Sequence, residues 1–150
     1  MSTRSYVGTI EENAIRFIYV HYDGYLAGVG RALKLAFPTL EDIKPIIDLG
    51  DRSQLTCETE PGDGGSYAEQ GEDFAPNAPT LFPFIQDNKD ETIKKLIRES
   101  KKGGIEYLYL LDNGTWRAWD IYKETSKEKI SLNDSCLTDL TDRVMNLIQA

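Results

Sequence analysis

The chain is short of the side chains that most chemistry needs. It has one histidine, His21, and two cysteines, Cys57 and Cys136. The cysteines stand far apart and fit no zinc-ligand or redox-pair spacing, so neither a metal site nor a disulfide is indicated, and reduced, buried thiols are expected. No apolar run approaches a membrane span, and MSTRSYVGTIEEN has no apolar secretory segment. A soluble, cytoplasmic protein without membrane contact is expected. Positive charge is also scarce: 17 Lys and Arg stand against 25 Asp and Glu, a formal net charge of -8. That balance speaks against a surface built to neutralise many phosphates, so no direct nucleic-acid contact is expected. Across residues 53–88 Lys and Arg are missing altogether.

What is present is enough to build a core. At 150 residues and 40% apolar content, residues 1–150 are expected to form a single domain. Residues 5–11 and 14–20 read as two strands of an antiparallel hairpin turning around Glu12 and Asn13. In the second strand Ile15, Phe17 and Tyr19 alternate with Ile18 and Val20, the pattern of a central strand covered on both faces. Leu26, Val29, Leu33 and Phe37 recur at helical spacing until Pro38. Thr39 is placed to cap a second helix through the N–H of Asp42, with Leu40, Ile43 and Ile47 inward and Gly50 at a left-handed C-terminal position. Pro45 conflicts with that helix, predicting a kink or a later start.

Residues 53–88 then read as a long acidic loop, broken by glycines and prolines and carrying Tyr67, Phe74, Phe82 and Phe84. Connections of that length are either functional or disordered. Asp90 is expected to cap a helix with Ile93, Leu96 and Ile97 inward, closed by Gly103 and Gly104. IEYLYLLDNGTWRAWDIY reads as a second hairpin turning on Asn113-Gly114, both of which a type I′ turn places at positive φ. Leu137, Leu140, Val144, Leu147 and Ile148 predict a C-terminal amphipathic helix. The fold class is therefore α+β: a mainly antiparallel sheet from N-terminal and C-terminal hairpins, packed with about four helices.

Few constellations could carry chemistry. In YVHYDGYLAGVG, His21 and Asp23 could pair as an acid-base set, but Asp-Gly is also an ordinary turn pair. Gly24, Gly28 and Gly30 are spaced GxxxGxG, which matches neither nucleotide fingerprint, and close helix packing accounts for them equally well. A looser ligand site of His21, Tyr22, Asp23, Tyr25 and Arg31 stays open. The acidic loop offers Glu58, Glu60, Asp63, Glu69, Glu72 and Asp73 as a concentrated negative surface for a basic partner. Trp116 and Trp119 lie at odd spacing on one strand and so face opposite sides. One is expected in the core and the other as an exposed anchor.

TRSYVG at residues 3–8, IYVHYDGYLAGVG at 18–30, IIDLGDRSQL at 46–55, SYAEQGEDF at 66–74 and EYLYLLDNGTW at 106–116 recur in order over nearly the whole chain. Together they resemble a family of small proteins encoded by tailed bacteriophages and prophages, in which an HWDGYP-type segment, LGDLSSL, RDRGED and YVYLF follow one another. The resemblance implies a phage origin, the cytoplasm of an infected bacterial host and a single-domain accessory role, with no established activity. Tyr22 stands where the family has Trp, Leu26 stands near its Pro, and AEQGED lacks its arginines, which weakens a phosphate-ligand reading. The expected function is accordingly a non-enzymatic, cofactor-free and metal-free binding protein. It would inhibit or redirect a host protein with a basic surface, a defence or nucleic-acid-processing protein, through its acidic surface. The alternatives are a sponge for a nucleotide-type signalling molecule near the HYDG turn and a small enzyme using His21 as base.

Overall fold

The computed structural model describes residues 2–125. The expected helix carrying Leu137, Leu140, Val144, Leu147 and Ile148, and Cys136 with it, lies outside the described residues. Five strands form one sheet in the order β3-β2-β1-β4-β5. β1 (Ser5–Ile10) and β2 (Ala14–Val20) make the N-terminal hairpin, with Tyr6 opposite Tyr19 and Gly8 opposite Phe17. The strands press together closely at Gly8, where a Cβ would meet the Arg16 carbonyl oxygen at 2.4 Å. β4 (Tyr107–Asp112) and β5 (Thr115–Asp120) make the second hairpin, and Asn113 and Gly114 take φ of 50° and 80° as the turn chemistry requires. The hairpins join through a parallel pairing of β1 with β4, the one parallel strand pairing among the described residues of a mainly antiparallel sheet. The molecule is thus α+β, as the sequence pattern implies.

Helices cover both faces of this sheet. Even and odd positions along each strand diverge, so Val7, Ile18, Val20, Tyr109, Leu111 and Trp116 face one core. That core is covered by α1 (Arg31–Ala36) and α2 (Leu40–Asp48) through Leu33, Ile43 and Ile47. Ile15, Phe17, Leu108, Leu110 and Trp119 face the other, under Ile93, Leu96 and Ile97 of α4 (Lys89–Lys102). β2 is therefore covered on both faces, as its two alternating apolar sets predict. Both tryptophans are core residues, Trp116 2% and Trp119 0% exposed, which corrects the expectation of an exposed anchor.

Several boundaries differ from the sequence pattern, each for a local reason. The spacing of Leu26, Val29, Leu33 and Phe37 predicts one helix, but residues 26–30 form a π-helical turn before α1. The Val29 N–H donates to the Asp23 carbonyl at 2.9 Å, and the Arg31 N–H reaches back five residues to Leu26. α2 starts at Leu40, capped reciprocally by Thr39 and Asp42, and runs through Pro45 rather than beginning after it. Pro45 lies on the exposed side, and it forfeits only the bond that the Glu41 carbonyl would have accepted. Gly50 closes the helix at φ 84°.

Asn88 rather than Asp90 caps α4, its side chain accepting from the Glu91 N–H at 3.1 Å, while Asp90 sits in the first turn. The acidic stretch 53–88 is not wholly loop. It contains α3 (Phe74–Asn77) and β3 (Thr80–Pro83), which pairs with the outer edge of β2. The second hairpin ends at Asp120, and α5 (Ile121–Thr125) follows where the pattern continues the strand to Tyr122.

Candidate functional site

The HYDG segment is tied down through its backbone. The His21 and Tyr22 N–H groups donate to the carbonyls of Arg52 and Ser53 at 3.2 and 2.8 Å, and the Arg52 N–H returns to Tyr19 at 2.9 Å. The Gly24 N–H donates to the Thr3 carbonyl at 2.9 Å, and the Gly24 carbonyl accepts from the buried Tyr109 hydroxyl at 2.7 Å. A Cβ at Gly28 would lie 2.1 Å from the Asp23 carbonyl oxygen, so that glycine is set by close packing. Asp23 takes φ 56° and accepts a hydrogen bond from the Tyr25 hydroxyl at 3.3 Å.

The loose site read from the sequence is only partly assembled. The rings of His21 and Tyr22 meet edge to face at 4.5 Å, and Asp23 and Tyr25 pair with each other. Arg31 turns away, donating to the Cys57 sulfur at 3.4 Å. His21 does not pair with Asp23; its Nδ1 shares a hydrogen bond with the Tyr19 hydroxyl.

Tyr19 leads into a cleft that the sequence does not announce. This cleft, about 660 Å³, opens on the α4 face between the C-terminal half of α4 and the β3-β2-β1 edge of the sheet. Tyr6, Phe17 and Tyr19 form one aromatic wall, with Tyr6 4.5 Å from Phe17 and 6.4 Å from Tyr19 between ring centres. Phe82 of β3 also lines it, with the Lys95 ammonium 5.8 Å from its ring centre. Arg4 lies at the same cleft, and among the described residues neither it nor Lys95 enters an ion pair.

Asp51 supplies the cleft's perturbed acid. The Tyr19 N–H donates to its Oδ1 at 2.9 Å, while its backbone bonds to Asn77 and Tyr67 hold the segment in place. Burial pushes its pKa up to about 6, outweighing the lowering effect of the Tyr19 N–H. Burial also raises the phenols of Tyr6 and Tyr19; the nearby Asp51 carboxylate adds to both and Arg4 partly offsets the rise at Tyr19, so both stay neutral hydroxyls at neutral pH.

The acidic stretch has a different construction. Arg52, just before it, is 1% exposed and anchors it. The Arg52 Nε donates to the Gln54 carbonyl at 2.8 Å, and its Nη2 meets Asp63 Oδ1 at 3.0 Å; Nη1 is buried without a partner. Burial alone would raise the Asp63 pKa, but the N–H groups of Gly65 and Glu60 and the Arg52 guanidinium hold it below the usual carboxylate range.

Glu69 accepts from the Gly64 N–H at 2.7 Å, and Asp73 caps α3 through the Ala75 N–H at 3.1 Å. Three of the six proposed partner-binding carboxylates are therefore engaged in holding the segment's shape. The side chains of Glu58, Glu60 and Glu72 make no hydrogen bond or ion pair among the described residues and are exposed.

Among the described residues no group of His, Cys, Asp and Glu is arranged to hold a metal ion, and no helix is long and apolar enough to cross a membrane. Comparison with protein-family models, curated proteins and solved structures finds no match to this chain.

Of the cleft residues, Tyr6 and Tyr19 were within reach of sequence reasoning. A hairpin turning on Glu12 and Asn13 places them opposite each other on one face. Arg4, Asp51 and Lys95 carry no local signal, because they meet only when β1, the end of α2 and α4 pack together.

Proposed function

We propose that the protein is a binding protein and that its functional site is the cleft, where it captures a small organic ligand without chemical turnover. The observation that carries this reading is one concave site joining an aromatic wall, a half-buried carboxyl with a raised pKa and two cations that form no ion pair among the described residues. Binding rather than catalysis is favoured because His21 is occupied by Tyr19 at the margin and pairs with no acid among the described residues. The site thus keeps the ligand-capture alternative read from the sequence but moves it from the HYDG turn to Arg4, Tyr6, Tyr19, Asp51 and Lys95.

The test is a thermal-shift panel of nucleotides and flat aromatic acids against the full chain and Tyr19→Ala. A ligand at 100 times its Kd adds about 2.7 kcal/mol of stability, and that gain should shrink in Tyr19→Ala. A panel without a shift, or shifts indifferent to Tyr19, would overturn the reading.

Capture of a partner protein has separate support. Glu58, Glu60 and Glu72 stand free on a segment that Arg52 anchors, with no cation between residues 53 and 88 to cancel them. For a phage-encoded chain, as the resemblance implies, the partner would be a host protein with a basic surface, engaged through fast, salt-sensitive association. A pull-down from bacterial lysate should retain a basic protein at low salt and release it at high salt. Recovery of nothing at low salt counts against this second reading.

A further inference from the structure

Resting on ligand capture in the cleft, we infer that the ligand is a guanine nucleotide, its base stacked on the aromatic sheet face with its edge on Asp51 and its phosphate reached by Arg4 and Lys95. Two cations on separate elements, Arg4 before β1 and Lys95 on α4, form no ion pair among the described residues and call for an anionic group on the ligand. Glu99, the other acid of the cleft, lies 3.7 Å from Lys102 and forms no ion pair with Arg4 or Lys95 among the described residues. Tyr6, Tyr19 and Phe82 call for a flat ring, since bases stack on aromatic side chains through a face that every base has.

Asp51 selects among such rings. Its Oδ1 has one lone pair on the Tyr19 N–H, which leaves the carboxylate able to accept further donors. Guanine presents two adjacent edge donors, N1–H and the 2-amino group, that match the two oxygens of one carboxylate. Adenine offers an amino donor beside a bare ring nitrogen, which a carboxylate repels. A cleft of about 660 Å³ lies within the range that encloses ligands of this size.

Isothermal titration of the full chain at pH 7.5 with guanosine 5′-monophosphate, adenosine 5′-monophosphate, guanosine and inorganic phosphate tests the assignment. The guanine nucleotide should bind at least about tenfold more tightly than each of the others, a difference of about 1.4 kcal/mol. Asp51→Asn should weaken it at least about tenfold while preserving the Tyr19 N–H bond through the amide oxygen. Lys95→Ala, at an exposed helix position, should weaken the nucleotide at least about tenfold more than it weakens guanosine.

Equal affinity for the two nucleotides, indifference to Asp51→Asn, or phosphate binding as tightly as the nucleotide would overturn it. If an aromatic acid such as indole-3-acetate binds in a Tyr19-dependent way and the guanine nucleotide does not, ligand capture stands and the guanine assignment fails. If nothing binds, both fail.

Discussion

Asp51 and Arg52 are neighbours on one extended segment, yet they lead to opposite situations. Arg52 enters a charge-matched knot, where Asp63 and the Gln54 carbonyl receive its donors and the acidic stretch is fastened around it. Asp51 enters a cleft where, among the described residues, no cation bonds to it, with one backbone N–H on its carboxylate and a pKa raised to about 6. Adjacent residues thus sit beside a carboxyl kept ionised by its surroundings, Asp63 against Arg52, and one whose ionisation is resisted, Asp51 itself. The knot lowers the energy of its charges, whereas the cleft keeps a polar group ready for an incoming partner.

The largest expected effect comes from breaking the knot. Asp63→Ala removes the acceptor of a guanidinium that is 1% exposed and deprives the N–H groups of Glu60 and Gly65 of theirs. Because the Asp63 side chain is itself 31% exposed, the loss should fall at or below the low end for a broken buried pair, about 2–3 kcal/mol, read as a lower urea midpoint. A loss under about 0.5 kcal/mol would mean that the knot does not hold the fold.

The cleft should respond with the opposite sign. Folding raises the Asp51 pKa from 3.8 to about 6, so the folded chain binds that proton more tightly than the unfolded chain. This group's contribution to stability is therefore complete below about pH 4, declines from there to about pH 6, and is lost above it. Asp51→Asn should stabilise the unliganded protein by about 1–2 kcal/mol at pH 7.5, and the gain should vanish as the pH falls towards 4. Urea titrations at both pH values measure it, and a destabilised variant at pH 7.5 would reverse the contrast drawn between the two residues.

The smallest effect should come from the free carboxylates. Glu58→Gln and Glu60→Gln change exposed side chains without a bonded partner, and stability should stay within about 0.5 kcal/mol. A larger change would mean that the surface charge itself shapes the acidic segment.

Much of the scaffold was legible in the sequence. The Asn113-Gly114 turn, the Thr39 cap and the double alternation of β2 each rest on interactions within a few residues, and each forms as the pattern implies. Placements that depend on distant partners were not. β3 arises in a stretch with little strand character because β2 offers a free edge, and the π-helical turn arises where Asp23 takes the Val29 N–H. One of Trp116 and Trp119 looked available as an anchor because their spacing reveals that they face opposite sides but not that helices cover both sides. The candidate site was the least legible part. His21 drew attention because histidine is rare and chemically versatile, whereas Asp51 and Arg52 gain their properties from burial, which a run such as LGDRSQL does not display.

The seam between β1 and β4 bears on how the chain is made. Residues 5–9 pair with residues 107–111, so the N-terminal hairpin emerges from the ribosome long before its parallel neighbour exists. Closing that contact late carries the entropy cost of a long loop and favours slow assembly. During synthesis the inner edge of β1 is an unpaired row of backbone groups, the feature most prone to wrong pairing with other chains. Arrival of β4 covers that edge, and β5, following it across a two-residue turn, pairs the far side of β4.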